Sequence, residues 1–225
     1  MTYWILFGGL LLISFLVSKN LERRFKEYAK IPSPQGLSGR DIALRMLREN
    51  GINDVDVTLT QGHLSDHYNP QKKTIALSES VYYGQNISAI AVAAHECGHA
   101  VQHAKSYAWL SMRSKMVPAV EFSSRWVHWL ILGGLLLLNV FPQLLLLGLM
   151  LFAISTLFSF ITLPVEIDAS HRALAWLSES GMTNINTQAK AESALRAAAY
   201  TYVVAALGSL ASLLYYLMIF LGADD

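Results

Sequence analysis

The chain has 225 residues, of which 53% are hydrophobic, 11% aromatic and 15% charged, and its formal net charge is +1. A soluble domain carries about 25% charged residues on average. This composition excludes a disordered chain, and the small net charge excludes a nucleic-acid binder that relies on bulk charge. The apolar residues are concentrated in three regions, which leaves room for one soluble portion of roughly 100 residues.

The first apolar region covers residues 2–17 and contains no charged residue. A membrane-spanning helix needs about 20 apolar residues, so this region is slightly short but still within reach of a span. A signal peptide is the alternative, but no basic region precedes it and no clear small-residue cleavage site follows it. We therefore expect an uncleaved anchor at residues 1–18.

The next hundred residues have the patterns of a small α+β unit. Residues 38–49 predict a helix that Ser38 or Asp41 caps and Gly51 ends. Residues 55–59 and 74–77 predict two strands separated by a turn at 69–73. We expect the second strand to present an exposed edge that could hold an extended peptide by strand addition. Residues 88–106 predict a helix capped by Asn86 or Ser88.

The predicted helix at 88–106 contains the motif His-Glu-x-x-His at residues 95–99. His95 and His99 lie four residues apart on one helix face, so both can offer ring nitrogens to one zinc ion. Zinc lowers the pKa of a bound water toward about 7, and Glu96 can accept the proton of that water. A chance match or a surface histidine pair is the alternative, but histidines in an apolar helix need partners.

The long apolar region at residues 126–163 is too long for one span and about right for two. A polar segment with a proline at 139–143 predicts the turn between them. Residues 199–221 predict a fourth span. Core helices of a soluble protein are the alternative, but a domain of this size could not easily cover so much apolar surface.

Two acids directly after the predicted hairpin are candidates for the third protein ligand that a catalytic zinc site needs. Glu166 and Asp168 point to different sides of a helix, so one can ligate while the other accepts a hydrogen bond from a ligand imidazole. Acids that simply stabilise a helix start are the alternative. His103 is poorly placed as a ligand, because a straight helix carries it about a turn away from the ion.

Other polar side chains could stabilise the oxyanion of a tetrahedral intermediate. The candidates are Arg172, His67 and Tyr68, with turn or capping roles as the alternative. Cys97 is the only cysteine, and we expect it to be a packing residue.

The distribution of lysine and arginine predicts the orientation in the membrane. Five basic residues follow the first span: Lys19, Arg23, Arg24, Lys26 and Lys30. The positive-inside rule places this segment in the cytoplasm. The hairpin turn then lies outside, the segment from Glu166 to Arg196 lies inside, and the acidic tail Asp224–Asp225 ends outside.

The spans divide the chain into five predicted parts. These are an anchor (1–18), a cytoplasmic portion (19–121), a hairpin (122–164), a cytoplasmic helical segment (165–198) and a last span with its tail (199–225).

Four segments together resemble the YugP family of neutral zinc metallopeptidases of bacterial membranes: residues 64–70, 75–79, 92–102 and 164–170. The resemblance implies a zinc endopeptidase with one Zn²⁺ that is anchored in the plasma membrane. Because Glu166 follows a predicted span on the side with the basic residues, we expect a cytoplasmic site close to the bilayer. A polypeptide, including one associated with the membrane, is the expected substrate. The resemblance also implies a mainly α membrane protein, in which four transmembrane helices carry a zincin-like α+β portion with a short β-sheet.

A more distant similarity, to HtpX-like and CAAX prenyl-protein endopeptidases, concerns the third ligand. In those proteins a glutamate in a setting such as E-x-x-A-D completes the zinc shell, which implies Glu166 here and a gluzincin-like ligand set. Ser170 stands in the place of the final acid. The resemblance therefore leaves open whether Asp168 supplies the outer acid or whether that acid is absent.

Two other functions remain as hypotheses. Cleavage inside the bilayer would require the His95 helix to be a span, but only about eight largely apolar residues precede His95, and a span needs about 20. A non-catalytic zinc-binding scaffold, or a regulator of another protease, would have no need of Glu96.

Overall fold

The computed structural model describes residues 2–62 and 65–222. Leu64 of the first matched segment and the acidic tail Asp224–Asp225 lie outside the described residues. Within them the chain is mainly helical, with a small sheet. Its elements in chain order are α1 (Thr2–Tyr28), α2 (Gly39–Glu49), β1 (Asp56–Thr60), β2 (His67–Asn69), β3 (Thr74–Ser78), α3 (Glu79–Tyr82), α4 (Ile87–Ala104), α5 (Ala108–Leu136), α6 (Gln143–Glu179) and α7 (Ile185–Leu221).

Helices α2 and α4 begin at caps that the sequence predicted. The hydroxyl of Ser38 accepts the N–H of Asp41, whose carboxylate accepts the N–H of Ser38, and this reciprocal capping box starts α2. Gly51 follows the helix with φ at +71°, a conformation that glycine adopts without strain. The side chain of Asn86 accepts the N–H of Ala89 and starts α4. Local sequence therefore decides where these helices begin.

The three strands form one sheet in the order β1-β3-β2. β3 pairs in parallel with β1 and antiparallel with β2, so both of its edges are occupied. The prediction that this strand presents an exposed edge is wrong, because Ile75 and Leu77 are completely buried and draw the strand into the centre of the sheet. The sequence also did not predict β2. Its residues His67 and Tyr68 line a cavity of the site described below.

Helix α4 lies at the centre of the hydrophobic core. Its residues 87–94 are all buried, and the helix packs against α2, α6, α7 and β2. The apolar residues before His95 are therefore covered by protein, as expected for a core helix. Only residues 87–94 of α4 precede His95, about eight residues where a span needs about 20, which argues against the span that intramembrane cleavage would require.

Helices α6 and α7 are long and apolar enough to cross a membrane, and they are the two helices of this kind found in the described residues. Each has 37 residues, which corresponds to about 55 Å at about 1.5 Å per residue. The hydrocarbon core of a bilayer is only about 30 Å thick. Each helix can therefore cross a bilayer and extend well beyond it. The predicted divisions after residues 164 and 198 fall inside these continuous helices.

Candidate metal centre

A close crossing of α4 and α6 forms the centre of the site. A Cβ atom at Gly98 would lie only 2.5 Å from the carbonyl oxygen of Ala169, so a side chain there would push the two helices apart. Glycine at this position lets the backbones approach closely. The crossing places His95 and His99 of α4 opposite Glu166 of α6.

The side chains of His95, His99 and Glu166 have the spacing of a metal-binding set. Glu166 Oε2 lies 3.3 Å from His95 Nε2 and 3.7 Å from His99 Nε2, and the three ligand atoms lie within 4.8 Å of one another. Tetrahedral zinc with bonds of about 2.0–2.1 Å separates its ligand atoms by about 3.3 Å. Two imidazoles and a carboxylate are also donors that zinc prefers. The donor set therefore fits one zinc ion after small adjustments.

The two imidazoles are oriented through their other nitrogen atoms. His95 Nδ1 lies 3.1 Å from Ser170 Oγ, and His99 Nδ1 lies 3.1 Å from Gln102 Oε1. With Nδ1 as the donor in both contacts, each Nε2 keeps its lone pair available for a metal ion on the side of Glu166. Such partners fix the tautomer and the ring orientation of metal-ligating histidines. The sequence did not predict this role for Ser170 or Gln102.

Asp168 contacts Gln102 rather than a histidine. The amide nitrogen of Gln102 donates to Asp168 Oδ2 at 2.7 Å and to the Val165 carbonyl at 2.8 Å. The prediction that the second acid accepts directly from a ligand imidazole is therefore wrong for Asp168. The side chain of Gln102 lies between the two groups, so Asp168 acts on His99 only through this amide.

Arg172, a predicted candidate for the oxyanion donor, forms an ion pair with Asp168 instead. Its Nε donates to Asp168 Oδ2 at 2.6 Å, and its guanidinium lies 5.8 Å from the centre of the Tyr107 ring. It does not line either cavity at the metal-binding set. The structure therefore does not bring Arg172 to the place where an oxyanion donor is needed.

Replacing Gln102 with alanine tests the contact between this amide and His99. We expect Gln102→Ala to lower zinc affinity by roughly 10- to 100-fold, because His99 loses the group that orients its ring. Titration of the purified protein with zinc against a competing chelator measures the change. Gln61→Ala, at an exposed position, is the control and should bind zinc like the unmodified protein. Equal affinity in both variants would contradict the positioning role.

Burial and neighbouring charges shift the pKa values of Glu166 and His99 in opposite directions. Burial raises the pKa of the Glu166 carboxyl, but its contacts with His95 and His99 outweigh burial, and the pKa falls below the ordinary range. Burial lowers the pKa of His99, yet the contacts with Glu166 and the charge of Glu96 raise it above 6.5 overall. The carboxylate therefore stays ionised and favours a positive charge between it and the histidines.

Two cavities meet at the metal-binding set. One of about 160 Å³ lies between α1, α4 and α7, and one of about 260 Å³ lies between β2, α4 and α5. The residues that line both are Asp66, His95, Glu96, Glu166 and Tyr202. Glu96 is 8% exposed, and it lies where a water molecule and a substrate can reach it. This arrangement suits a base that acts beside a bound ion.

The predicted residues His67 and Tyr68 line the larger cavity. His67 Nδ1 lies 2.8 Å from the carbonyl oxygen of Ser65, and the Tyr68 hydroxyl lies 2.8 Å from His103 Nδ1. His103 is thus a partner of Tyr68 and lies outside the metal-binding set. The fold also adds Arg113 and Tyr202, which the sequence did not indicate, because α5 and α7 reach the cavities only in the folded chain.

Comparisons with known proteins identify the family of this chain. The model of a family described as "Putative neutral zinc metallopeptidase" matches residues 3–221. The chain is 44% identical over 213 residues to a Bacillus subtilis (strain 168) protein named "Putative membrane protease YugP", and the alignment covers 95% of this chain and 94% of that protein. No solved structure shows significant similarity. The chain therefore belongs to the YugP family of neutral zinc metallopeptidases.

Proposed function

We propose that the protein is a membrane-anchored endopeptidase in which His95, His99 and Glu166 hold one zinc ion and Glu96 is the general base. The observation that carries this proposal is the position of the metal-binding set beside Glu96, where two cavities meet. A structural zinc site is closed by four protein ligands, whereas a catalytic site leaves a position for water. Three ligands next to open space match the catalytic type.

The residues around the set have distinct roles in peptide hydrolysis. When bound, zinc would act as a Lewis acid toward a water molecule and the substrate carbonyl. Glu96 accepts a proton from the attacking water and delivers it to the leaving amine. Tyr202 lines both cavities, and His67 and Tyr68 line the larger one. Their polar groups are the candidates for stabilising negative charge on the carbonyl oxygen.

We also propose that α1 and α5 cross the membrane with α6 and α7. α1 packs against α7, and α5 packs against α6. Large apolar side chains on α1 and α5 face outward, including Leu11 at 72% exposure, Trp129 at 70% and Leu136 at 77%. Large exposed apolar side chains of this kind are costly in water and suit lipid. The break between α5 and α6, at residues 137–142, falls at the predicted hairpin turn.

The proposed location of the site is the cytoplasmic face, close to the bilayer. Glu166 lies two residues after Pro164 in α6, and Ala199 and Tyr202, at the start of the last apolar region, line the smaller cavity. The metal-binding set is therefore close to the inner ends of two proposed spans. A polypeptide at the membrane surface, free or tethered to it, is the substrate that this location favours.

Single-cysteine labelling tests the proposed orientation. Cys97 is completely buried and gives no background, since burial also raises the pKa of its thiol. In intact cells, an impermeant maleimide should label Val140→Cys at the hairpin turn and should label Lys72→Cys only after permeabilisation. Leu11→Cys, inside a proposed span, is the control and should stay unlabelled in both conditions. The reverse pattern for the first two variants would contradict the orientation.

Cleavage of a diverse peptide pool by the purified full-length protein tests the activity itself. We expect new peptide termini with the zinc-loaded protein, none after zinc is removed with a chelator, and recovery when zinc is restored, because three side chains supply a removable site. Mass spectrometry identifies the products. A protein that binds zinc but cleaves no peptide would favour the non-catalytic scaffold instead.

A further inference from the structure

The two cavities at the metal-binding set differ in chemistry. Apolar side chains from α1, α4 and α7 line the smaller one, among them Leu21, Phe25, Val92 and Leu195. The larger one contains a cation, because Arg113 of α5 reaches it together with His67 and Tyr68. A peptide lying across the set would place the side chains on either side of the cleaved bond in different surroundings.

Arg113 is held in place but has no carboxylate of its own. Its Nη1 lies 3.9 Å from Glu166 Oε1, and its guanidinium lies 6.0 Å from the centre of the Phe158 ring. In the described part of the chain, Glu166 is the one carboxylate within 4 Å of this guanidinium. Glu166 is closer to the two histidines, at 3.3 and 3.7 Å, and in the proposed function it serves the metal ion.

The other acids of the larger cavity form no ion pair with Arg113 among the described residues. Asp66 accepts the backbone N–H of Ser78 at 2.7 Å and the hydroxyl of Ser78 at 3.1 Å, so its carboxylate is committed to holding β3. Glu96 forms no ion pair among the described residues. The side chain of Arg113 is 33% exposed and lines the larger cavity, so its guanidinium group can reach a ligand there.

We infer that the enzyme recognises a substrate carboxylate through Arg113 on one side of the cleaved bond and a large apolar side chain in the smaller cavity on the other side. This inference rests on the proposed peptidase function. The planar guanidinium group matches a carboxylate with two parallel hydrogen bonds, and such pairs are stronger where water is partly excluded. The carboxylate comes from an aspartate or glutamate side chain or from the end of a chain.

Matched peptides test the inference with the full-length, zinc-loaded protein. End-blocked peptides carry leucine on one side of the cleaved bond and either glutamate or glutamine on the other, and both orders are tested. A further peptide, with glutamine on the carboxyl-terminal side of the cleaved bond, ends at that glutamine in a free carboxylate. We expect kcat/KM for the glutamate peptide to exceed that for the blocked glutamine peptide by about tenfold. A similar gain with the free carboxylate would identify a chain end as the source. Serine in place of leucine should lower kcat/KM by about tenfold.

Arg113→Gln should remove the preference for the carboxylate, whereas Lys115→Gln, an exposed lysine on the same helix, should retain it. The ratio between two peptides is measured within one variant, so a change in zinc content cancels. The inference is overturned if the unmodified protein cleaves the glutamate and glutamine peptides equally. It is also overturned if Arg113→Gln lowers both rates and leaves their ratio unchanged.

A binding measurement separates this inference from the proposed function. The Glu96→Gln variant should bind the fluorescently labelled glutamate peptide about tenfold more tightly than the glutamine peptide, and adding Arg113→Gln should abolish the difference. This result without cleavage by the unmodified protein would overturn the proposed function but support recognition by Arg113. Equal binding of the two peptides would overturn the recognition, whatever the activity.

Discussion

Replacing Glu96 with glutamine should lower kcat by about 10²- to 10⁴-fold and leave the amount of bound zinc unchanged. Glutamine has nearly the same shape as glutamate but cannot accept the proton of an attacking water molecule. Glu96 lies outside the group of side chains that could ligate the ion and lines both cavities. Loss of activity without loss of zinc is therefore the signature of a base that is not a ligand.

Peptide cleavage and zinc content, measured on the same preparation of Glu96→Gln, check this prediction. Glu121→Gln, at an exposed position of α5, is the matched control and should retain both activity and zinc. If Glu96→Gln keeps its zinc and cleaves peptides at the unmodified rate, the assignment of Glu96 as the base is wrong.

The second large effect concerns the third ligand. Glu166→Ala should lower zinc affinity by far more than the roughly 10- to 100-fold expected for an outer partner of a ligand, because one of three ligand atoms is lost. Asp168→Ala should show only the smaller effect, since Asp168 reaches His99 through Gln102. The metal content of each variant after dialysis against a chelator distinguishes the two residues.

Glu166→Gln tests whether zinc is lost because a ligand is missing or because the protein is misfolded, since glutamine keeps the volume of this buried side chain. Its thermal denaturation should be cooperative, like that of the unmodified protein, while its zinc content stays low. If Glu166→Ala and Asp168→Ala retain equal amounts of zinc, Glu166 is not the third ligand. A loss of zinc in Glu166→Ala alone would support the proposed ligand set.

Local sequence was sufficient to predict the helix that carries the motif and the N-terminal caps of α2 and α4. Ser38 and Asn86 start α2 and α4 with their own side chains, so a few neighbouring residues determine these boundaries. Residues His95 and His99 share a face because of helical periodicity alone. Glu166 is far from them in sequence; the residues alone left Glu166 and Asp168 as alternatives, and the family resemblance favoured Glu166.

The partners of the ligands were harder to predict because they depend on how helices cross. Gln102 follows His99 by three residues, and Ser170 follows Glu166 by four, so helical spacing could have indicated both. Arg113 and Tyr202 have no such signal, because α5 and α7 meet α4 only in the folded chain. The central position of β3 was missed since neither strand pattern showed how the three-residue strand β2 would pair with it.

The most direct test of the account compares peptide termini in membranes from cells that produce either the intact protein or Glu96→Gln. Equal protein amounts and equal zinc content in the two membrane samples make the proton acceptor at position 96 the one difference between them. We expect new termini that depend on Glu96 and lie in the cytoplasmic parts of other polypeptides. Identical termini in the two samples would contradict the account of this protein as a zinc-dependent endopeptidase.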